Sequence, residues 1–348
     1  LRPGRPGCGV MPDGPFVTGR PAGRGGRWKP RTCAVGDSET ETVTAIRADA
    51  LSRRFGDHLA VDQVDLEIAS GELFSLLGPN GAGKTTTIRM LCCLLRPTSG
   101  SATIMGHDIR TAPLAVKQVI AVSPQETAVA PNLTARENLE LIAGLHGHDR
   151  ARARRRADEL LDVTGLTARA NDKAKKYSGG MQRRLSIAMA LVSDPEVLFL
   201  DEPTIGLDPQ SRQGMWEYIR GLTGSTTIVL TTHYLEEADA LADRIAVIDG
   251  GVVIASGTPS ELKARAGGTP VMVVDAPNLT DDALRELSRV YPSARVVDGG
   301  VEIEAEGISV YDIADCLRPH GVEIRSTAVR RVSLDGVLVD LTGSARGG

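Results

Sequence analysis

Gly78-Pro79-Asn80-Gly81-Ala82-Gly83-Lys84-Thr85 contains the residue types that bind a polyphosphate. Glycines at 78, 81 and 83 let the main chain curl until its N–H groups converge on an anion, and a helix opening at Lys84 adds the positive end of its dipole. Lys84 would reach the β and γ phosphates, and the Thr85 hydroxyl would hold magnesium. A second centre lies at Asp201-Glu202, where the apolar run 197–200 ends. Two carboxylates thus emerge at the carboxyl end of a buried strand, the place where ligands gather in parallel sheets. Asp201 would join the magnesium shell and Glu202 would polarise the attacking water. Two acids after an apolar strand are by themselves usually a solvated strand end, and it is the phosphate loop that favours the catalytic reading. The turn Ser178-Gly179-Gly180 opens a further helix, with Leu185, Ala188, Met189 and Val192 on its apolar face. Ser178 could simply cap that helix, or its hydroxyl and the following N–H groups could bind phosphate.

These residues need a strand before the loop, a helix after it and a sheet beneath both. Short β-rich runs at 44–48, 64–68 and 72–77 lead into a helix expected over 84–94, which Pro97 and Gly100 would stop. Helical spacing returns at 136–145 and 151–163 as a helical insertion, and α/β alternation resumes through 197–200, 211–222, 227–231, 235–242 and 245–248. After Gly267, Gly268 and Pro270 a strand at 271–274 begins a β-α-β-β-α-β pattern with helices near 281–290 and 309–317. Three regions follow: a disordered or over-extended segment at 1–42, an α/β nucleotide-binding domain at 43–266 and a small α+β domain at 267–348.

Composition narrows the function classes. A formal net charge of -4 over 348 residues gives no field that would attract nucleic acid. No stretch reaches the roughly 18–20 consecutive apolar residues of a membrane-crossing helix. Five cysteines, Cys8, Cys33, Cys92, Cys93 and Cys316, form no disulfide framework and point to a reducing compartment.

Residues 43–265 resemble the ATP-binding family of ABC transporters, through Phe55, the loop from Gly78 to Thr86, Gln125, Ser178 to Gln182, Asp201-Glu202, Asp208 and His233 in that family's order and approximate spacing. The resemblance implies a RecA-like P-loop NTPase core with an antiparallel β subdomain and a helical subdomain that carries Ser178. It implies ATP and Mg2+ as cofactors, and ATP hydrolysis as the activity. Phe55 would stack on adenine, Gln125 would sense magnesium and the attacking water, His233 would contact the γ phosphate, and Asp208 would couple two sites. It implies a homodimer in which ATP on Lys84 of one copy meets Ser178 and Gly180 of the other. A transmembrane permease subunit would be the partner, placing the chain peripherally on the cytoplasmic face of the plasma membrane. The signature departs from the commonest form, with Tyr177 in place of Leu and Met181 in place of Gln. Both changes are similar to the drug-export branch of the daunorubicin-resistance type, as is 332–338 to a segment near that branch's C-terminus. The rival is a soluble ABC ATPase acting in translation or DNA maintenance, a group that usually has two cassettes or a long coiled coil.

Other features carry less chemistry. Arg152, Arg154, Arg155 and Arg156 read as a solvated helix face. His146 and His148 lack partners for a metal site, and Cys92 and Cys93 read as small packing residues.

Overall fold

The computed structural model describes residues 43–224, 226–265, 271–297, 299–304 and 309–330. The expectations for 1–42 and 332–338 lie outside the described residues.

An antiparallel hairpin of β1 (Thr44–Phe55) and β2 (His58–Ala69) turns at Gly56 and Asp57, and β3 (Leu73–Leu77) follows and runs toward α1 (Lys84–Leu91). β4 (Ser99–Ile104) returns antiparallel to β1 and β5 (His107–Asp108) pairs with β4, giving a sheet of order β2-β1-β4-β5. Then come α2 (Pro113–Val119), β6 (Ile120–Ser123), α3 (Ala135–Leu145), α4 (Arg150–Val163) and α5 (Gly179–Ala190). β7 (Val197–Asp201), α6 (Pro209–Gly221), β8 (Thr227–Thr232), α7 (Leu235–Leu241), β9 (Arg244–Asp249) and β10 (Val252–Gly257) complete a second sheet of order β10-β9-β3-β8-β7-β6. It is parallel except for β10. After α8 (Pro259–Arg265), the elements β11 (Val271–Asp275), α9 (Asp281–Val290), β12 (Arg295–Val297), β13 (Gly300–Glu304), α10 (Val310–Leu317) and β14 (Ser326–Arg330) build an antiparallel sheet of order β12-β13-β11-β14. That order and the β-α-β-β-α-β sequence are ferredoxin-like.

The second sheet is apolar on both faces because its strands alternate between two cores. Leu73, Leu77, Leu198, Leu200, Ile228 and Leu230 join the core that contains residues of α3, α4 and α5. Phe74, Leu76, Val197, Phe199 and Val229 point the other way, into the core shared with α1 and the antiparallel sheet. A third cluster, including Met272, Val274, Leu287, Ile303 and Ile313, is confined to the C-terminal sheet and its helices. This is a RecA-like core with an antiparallel β subdomain and a helical subdomain, as the resemblance implied.

Several elements differ from the sequence reading. α1 stops at Leu91 rather than 94, because Cys93 turns left-handed (φ 55). The turn is closed by Cys93 N–H on Met90 O at 3.0 Å and Leu94 N–H on Arg89 O at 2.9 Å, before Pro97 is reached. β1 and β2 run to 12 residues each, since irregularities at Ala50 and Gln63 break the alternation without ending the pairing. The elements from β4 to β6, together with β10 and α8, were not read at all, being short or lacking a sustained period.

Phe199 is wholly buried at the centre of β7. Phe199→Ala is expected to destabilise the protein by about 3–5 kcal/mol, measured as a lower urea midpoint of the main transition.

Candidate active site

The phosphate loop joins β3 to α1, and steric constraints explain its glycines. A Cβ at Gly78 would lie 2.1 Å from Ile248 O, and one at Gly83 would lie 2.6 Å from Ala60 O. Gly81 has open space around it, but its φ of +83 is left-handed. Pro79 and Asn80 are exposed, Ala82 is buried, and Thr85 and Thr86 are half-buried. The loop is braced by Gly251 N–H on Ala82 O at 3.0 Å.

Lys84 is 5% exposed and donates from Nζ to Gly78 O at 2.8 Å and Pro79 O at 2.9 Å, with Glu202 Oε1 at 3.7 Å. Burial pulls its pKa below the ordinary lysine value, and Glu202 and Asp201 oppose that shift. The Thr85 hydroxyl donates to Asp201 Oδ1 at 3.2 Å, and the Thr231 hydroxyl donates to the same oxygen at 2.6 Å. Thr231 also receives Glu202 N–H, at 3.0 Å. Glu202 adopts φ 46, a left-handed conformation unusual for a glutamate, and His233 Nδ1 lies 3.4 Å from its Oε1.

Lys84, Thr85, Asp201, Glu202 and His233 therefore converge at the carboxyl ends of β3, β7 and β8. A hydroxyl and a carboxylate are hard oxygen donors of the kind magnesium takes, leaving its other positions to phosphate oxygens and water. Among the described residues no group of three or more His, Cys, Asp and Glu side chains could hold a metal alone.

Other sequence candidates stand apart from this cluster. Phe55 is 45% exposed at the tip of the β1 hairpin, with the Arg53 guanidinium 4.5 Å from its ring centre. The same hairpin reaches the loop through Ala60 and Val61, which pack against Gly83. Gln125 is exposed beyond β6 and is tied by its carbonyl, which accepts from Arg183 at 3.1 Å. Ser178 is exposed and caps α5 by accepting Met181 N–H at 3.3 Å. Gly179 is exposed, whereas Gly180 is buried against Ser211. Asp208 is exposed and caps α6 by accepting Ser211 N–H at 2.9 Å.

The two signature departures have structural roles. Tyr177 is buried and its hydroxyl donates to Arg169 O at 2.7 Å, which anchors the turn before Ser178. Met181 packs against the helical core. The arginine run divides: Arg152, Arg154 and Arg155 are exposed, but Arg156 donates to Leu191 O at 2.7 Å and pairs with Asp194, tying α4 to the end of α5.

Three residues were missed. Thr231 supports both acids, and the run of threonines ending an otherwise apolar strand was its signal. Arg183 lies beneath both acids and had no local signal, being one arginine among several. Glu237 in α7 is wholly buried and accepts from Trp216 Nε1 at 3.2 Å. Burial pushes its carboxyl above the usual range despite that bond.

This fold and site define a P-loop nucleotide-hydrolysing domain of the ATP-binding-cassette type. A family model described as ABC transporter matches residues 61–205. The chain is 45% identical to a daunorubicin resistance ATP-binding protein of Streptomyces coeruleorubidus, over 87% of this chain and 97% of that one. It is 37% identical to a linearmycin resistance ATP-binding protein of Bacillus subtilis, over 86% and 98%. Among solved structures, an ATP-binding subunit of an ABC transporter superposes with a TM-score of 0.57 at 29% identity, covering 64% of this chain and 94% of that one. A dimeric post-hydrolysis cassette bound to ADP and Pi gives 0.56 at 28% identity, covering 61% and 98%. The chain belongs to the ABC transporter family as an ATP-binding, ATP-hydrolysing subunit.

The raised Glu237 pKa means that the folded state binds more protons than the unfolded one, so stability falls as pH rises from about 4.5 toward the folded value. Glu237→Gln keeps an acceptor for Trp216 and removes the buried charge. The variant is expected to melt above the parent at about pH 8, with the gap closing as the pH falls toward the ordinary carboxylate range, followed by calorimetry across pH.

Proposed function

We propose that this subunit powers the export of drugs through a separate transmembrane permease, by ATP-driven closure of a homodimer. The observation that carries the reading is the convergence of Lys84, Thr85, Asp201, Glu202 and His233 at the carboxyl ends of β3, β7 and β8. ATP would be held by the N–H groups of the loop from Gly78 to Thr86, with Lys84 exchanging its carbonyl partners for phosphate oxygens. Thr85 and Asp201 would hold magnesium with help from Gln125, and the ion would neutralise charge developing on the phosphate oxygens. Glu202 would take a proton from the attacking water as it approaches the γ phosphate, and His233 would steady that phosphate. Phe55 would present a flat face to the adenine.

Ser178, Gly179, Gly180 and Asp208 would act on the nucleotide of a second copy, since the first two and Asp208 are exposed and none bonds to this chain's own loop. No described helix is long and apolar enough to cross a membrane, so the transport path would belong to the permease, with this subunit bound peripherally at the cytoplasmic face. Drug export is supported by the daunorubicin and linearmycin resistance relatives, which match nearly end to end and do not favour the translation or DNA-maintenance alternative. Residues 43–266 would form the cassette and 267–348 an accessory domain with its own core.

Glu202→Gln is expected to retain ATP binding while turnover falls by about 10²–10⁴-fold, with an ATP-bridged dimer accumulating in light scattering. Unchanged phosphate release would remove Glu202 from the chemistry. Lys84→Ala is expected to weaken ATP binding by at least about tenfold, since a charge-assisted contact is lost. Isothermal titration reads that change, and parental affinity would place the triphosphate elsewhere.

A further inference from the structure

Arg183 lies within α5, five residues after Ser178, with 4% of its surface exposed. Its guanidinium bonds only main-chain carbonyls in the described contacts. Nε donates to Pro203 O at 3.0 Å, Nη2 to Asp201 O at 2.6 Å, and Nη1 to Pro124 O and to Gln125 O, the latter at 3.1 Å. These acceptors belong to two segments that leave neighbouring parallel strands, β6 and β7. One segment carries Gln125. The other carries Asp201 and Glu202, and Arg183 grips the residues on both sides of the left-handed Glu202.

The chemistry of the side chain matters here. A guanidinium is a flat fork with five donors, so one group can fix several carbonyls in a set relation that a single ammonium cannot reproduce. Burial lowers the Arg183 pKa to about 10, against the attraction of Asp201, Glu237 and Glu202, so the fork stays charged at neutral pH. Ser178 and Arg183 share one helix at about 1.5 Å rise per residue, so a displacement of the turn is carried rigidly to the fork.

We propose that Arg183 is a positioning residue that transmits engagement of the Ser178 turn to Gln125 and Glu202, making hydrolysis in one copy depend on the nucleotide its signature turn meets in the other. This rests on the reading above that Ser178 contacts a second copy's nucleotide. In the open state α5 sits where the turn leaves it, and the carbonyls of Asp201 and Pro203 hold Glu202 in one orientation. When the turn closes on a triphosphate, α5 and the fork shift together, and Glu202 and the Gln125 segment move with them. Small shifts suffice, because a misplacement of about 1 Å costs an enzyme about 100-fold in rate.

The test is a double-mutant cycle on the full-length chain, using S178A, R183M and the pair, with phosphate release at saturating MgATP and equilibrium ATP binding measured together. R183M is expected to lower kcat by about 100-fold while ATP affinity stays within about twofold. R183K keeps the buried charge without the fork and is expected to lose at least about tenfold in kcat. Adding S178A to either Arg183 variant should lower kcat by less than a further factor of about two, since both substitutions cut one line of transmission. If R183M does not fold, the cycle with R183K gives the same reading. Losses that multiply, parental turnover in R183K, or a loss of ATP binding equal to the loss of turnover would each overturn the proposal while leaving the Ser178 assignment intact. Parental turnover in S178A alone would overturn that assignment and this inference with it.

Discussion

The Lys84 ammonium sits almost wholly out of water, bonded to the carbonyls of Gly78 and Pro79 and facing the Glu202 carboxylate at 3.7 Å. Desolvating such a group costs several kcal/mol unless its donors are met. The loop meets them with its own main chain, which requires the backbone to fold over the side chain. That curvature accounts for the tight approach of Gly78 to Ile248 and of Gly83 to Ala60. It also explains why the loop needs β9 and the β1 hairpin around it. An anion offered to Lys84 would replace partners that are neutral carbonyls with charged oxygens, a favourable exchange for a buried ammonium.

The two carboxylates obey the same rule. Asp201 accepts from the Thr85 and Thr231 hydroxyls, and Glu202 is held by main-chain bonds to Thr231 and by the Arg183 contacts on either side. A left-handed glutamate stores strain that only a tightly bonded surrounding can maintain. Buried Lys84, Asp201, Glu202 and Arg183 thus form a low-dielectric centre in which each charge acts strongly on its neighbours. Around it stand exposed groups, Phe55, Ser178, Gly179 and Asp208. The division is between a buried, mutually bonded interior and a periphery of exposed side chains.

The C-terminal sheet follows different physics. Among the described residues its buried cluster is separate from the two cores of the ATPase, and its strands pair with each other. Tyr311 is exposed on α10, as is Val329 on β14, which forms one edge of the sheet. The helical subdomain, by contrast, shares its core with one face of the parallel sheet, and α5 reaches the end of β7 through Arg183 on Asp201 O.

The amino-acid sequence by itself determined the phosphate loop, the acid pair, the helix start at Ser178 and the order of the C-terminal elements. Each of these depends on neighbours a few residues away: glycines at set spacing, caps, or an apolar period of two or 3.6. It also carried the burial of β7, since the continuous apolar run 197–200 fits a strand covered on both faces. The irregular hairpin, the end of α1 at the left-handed Cys93 and the split behaviour of the arginine run depended on contacts that periodicity does not encode. Arg156 is indistinguishable from Arg155 until Leu191 and Asp194 are brought beside it. Only the tertiary structure decided that Arg183 grips carbonyls 58 residues before it and 18 after it. Main-chain acceptors leave no mark on residue type, so such a contact exists in the packing and nowhere in the pattern of side chains.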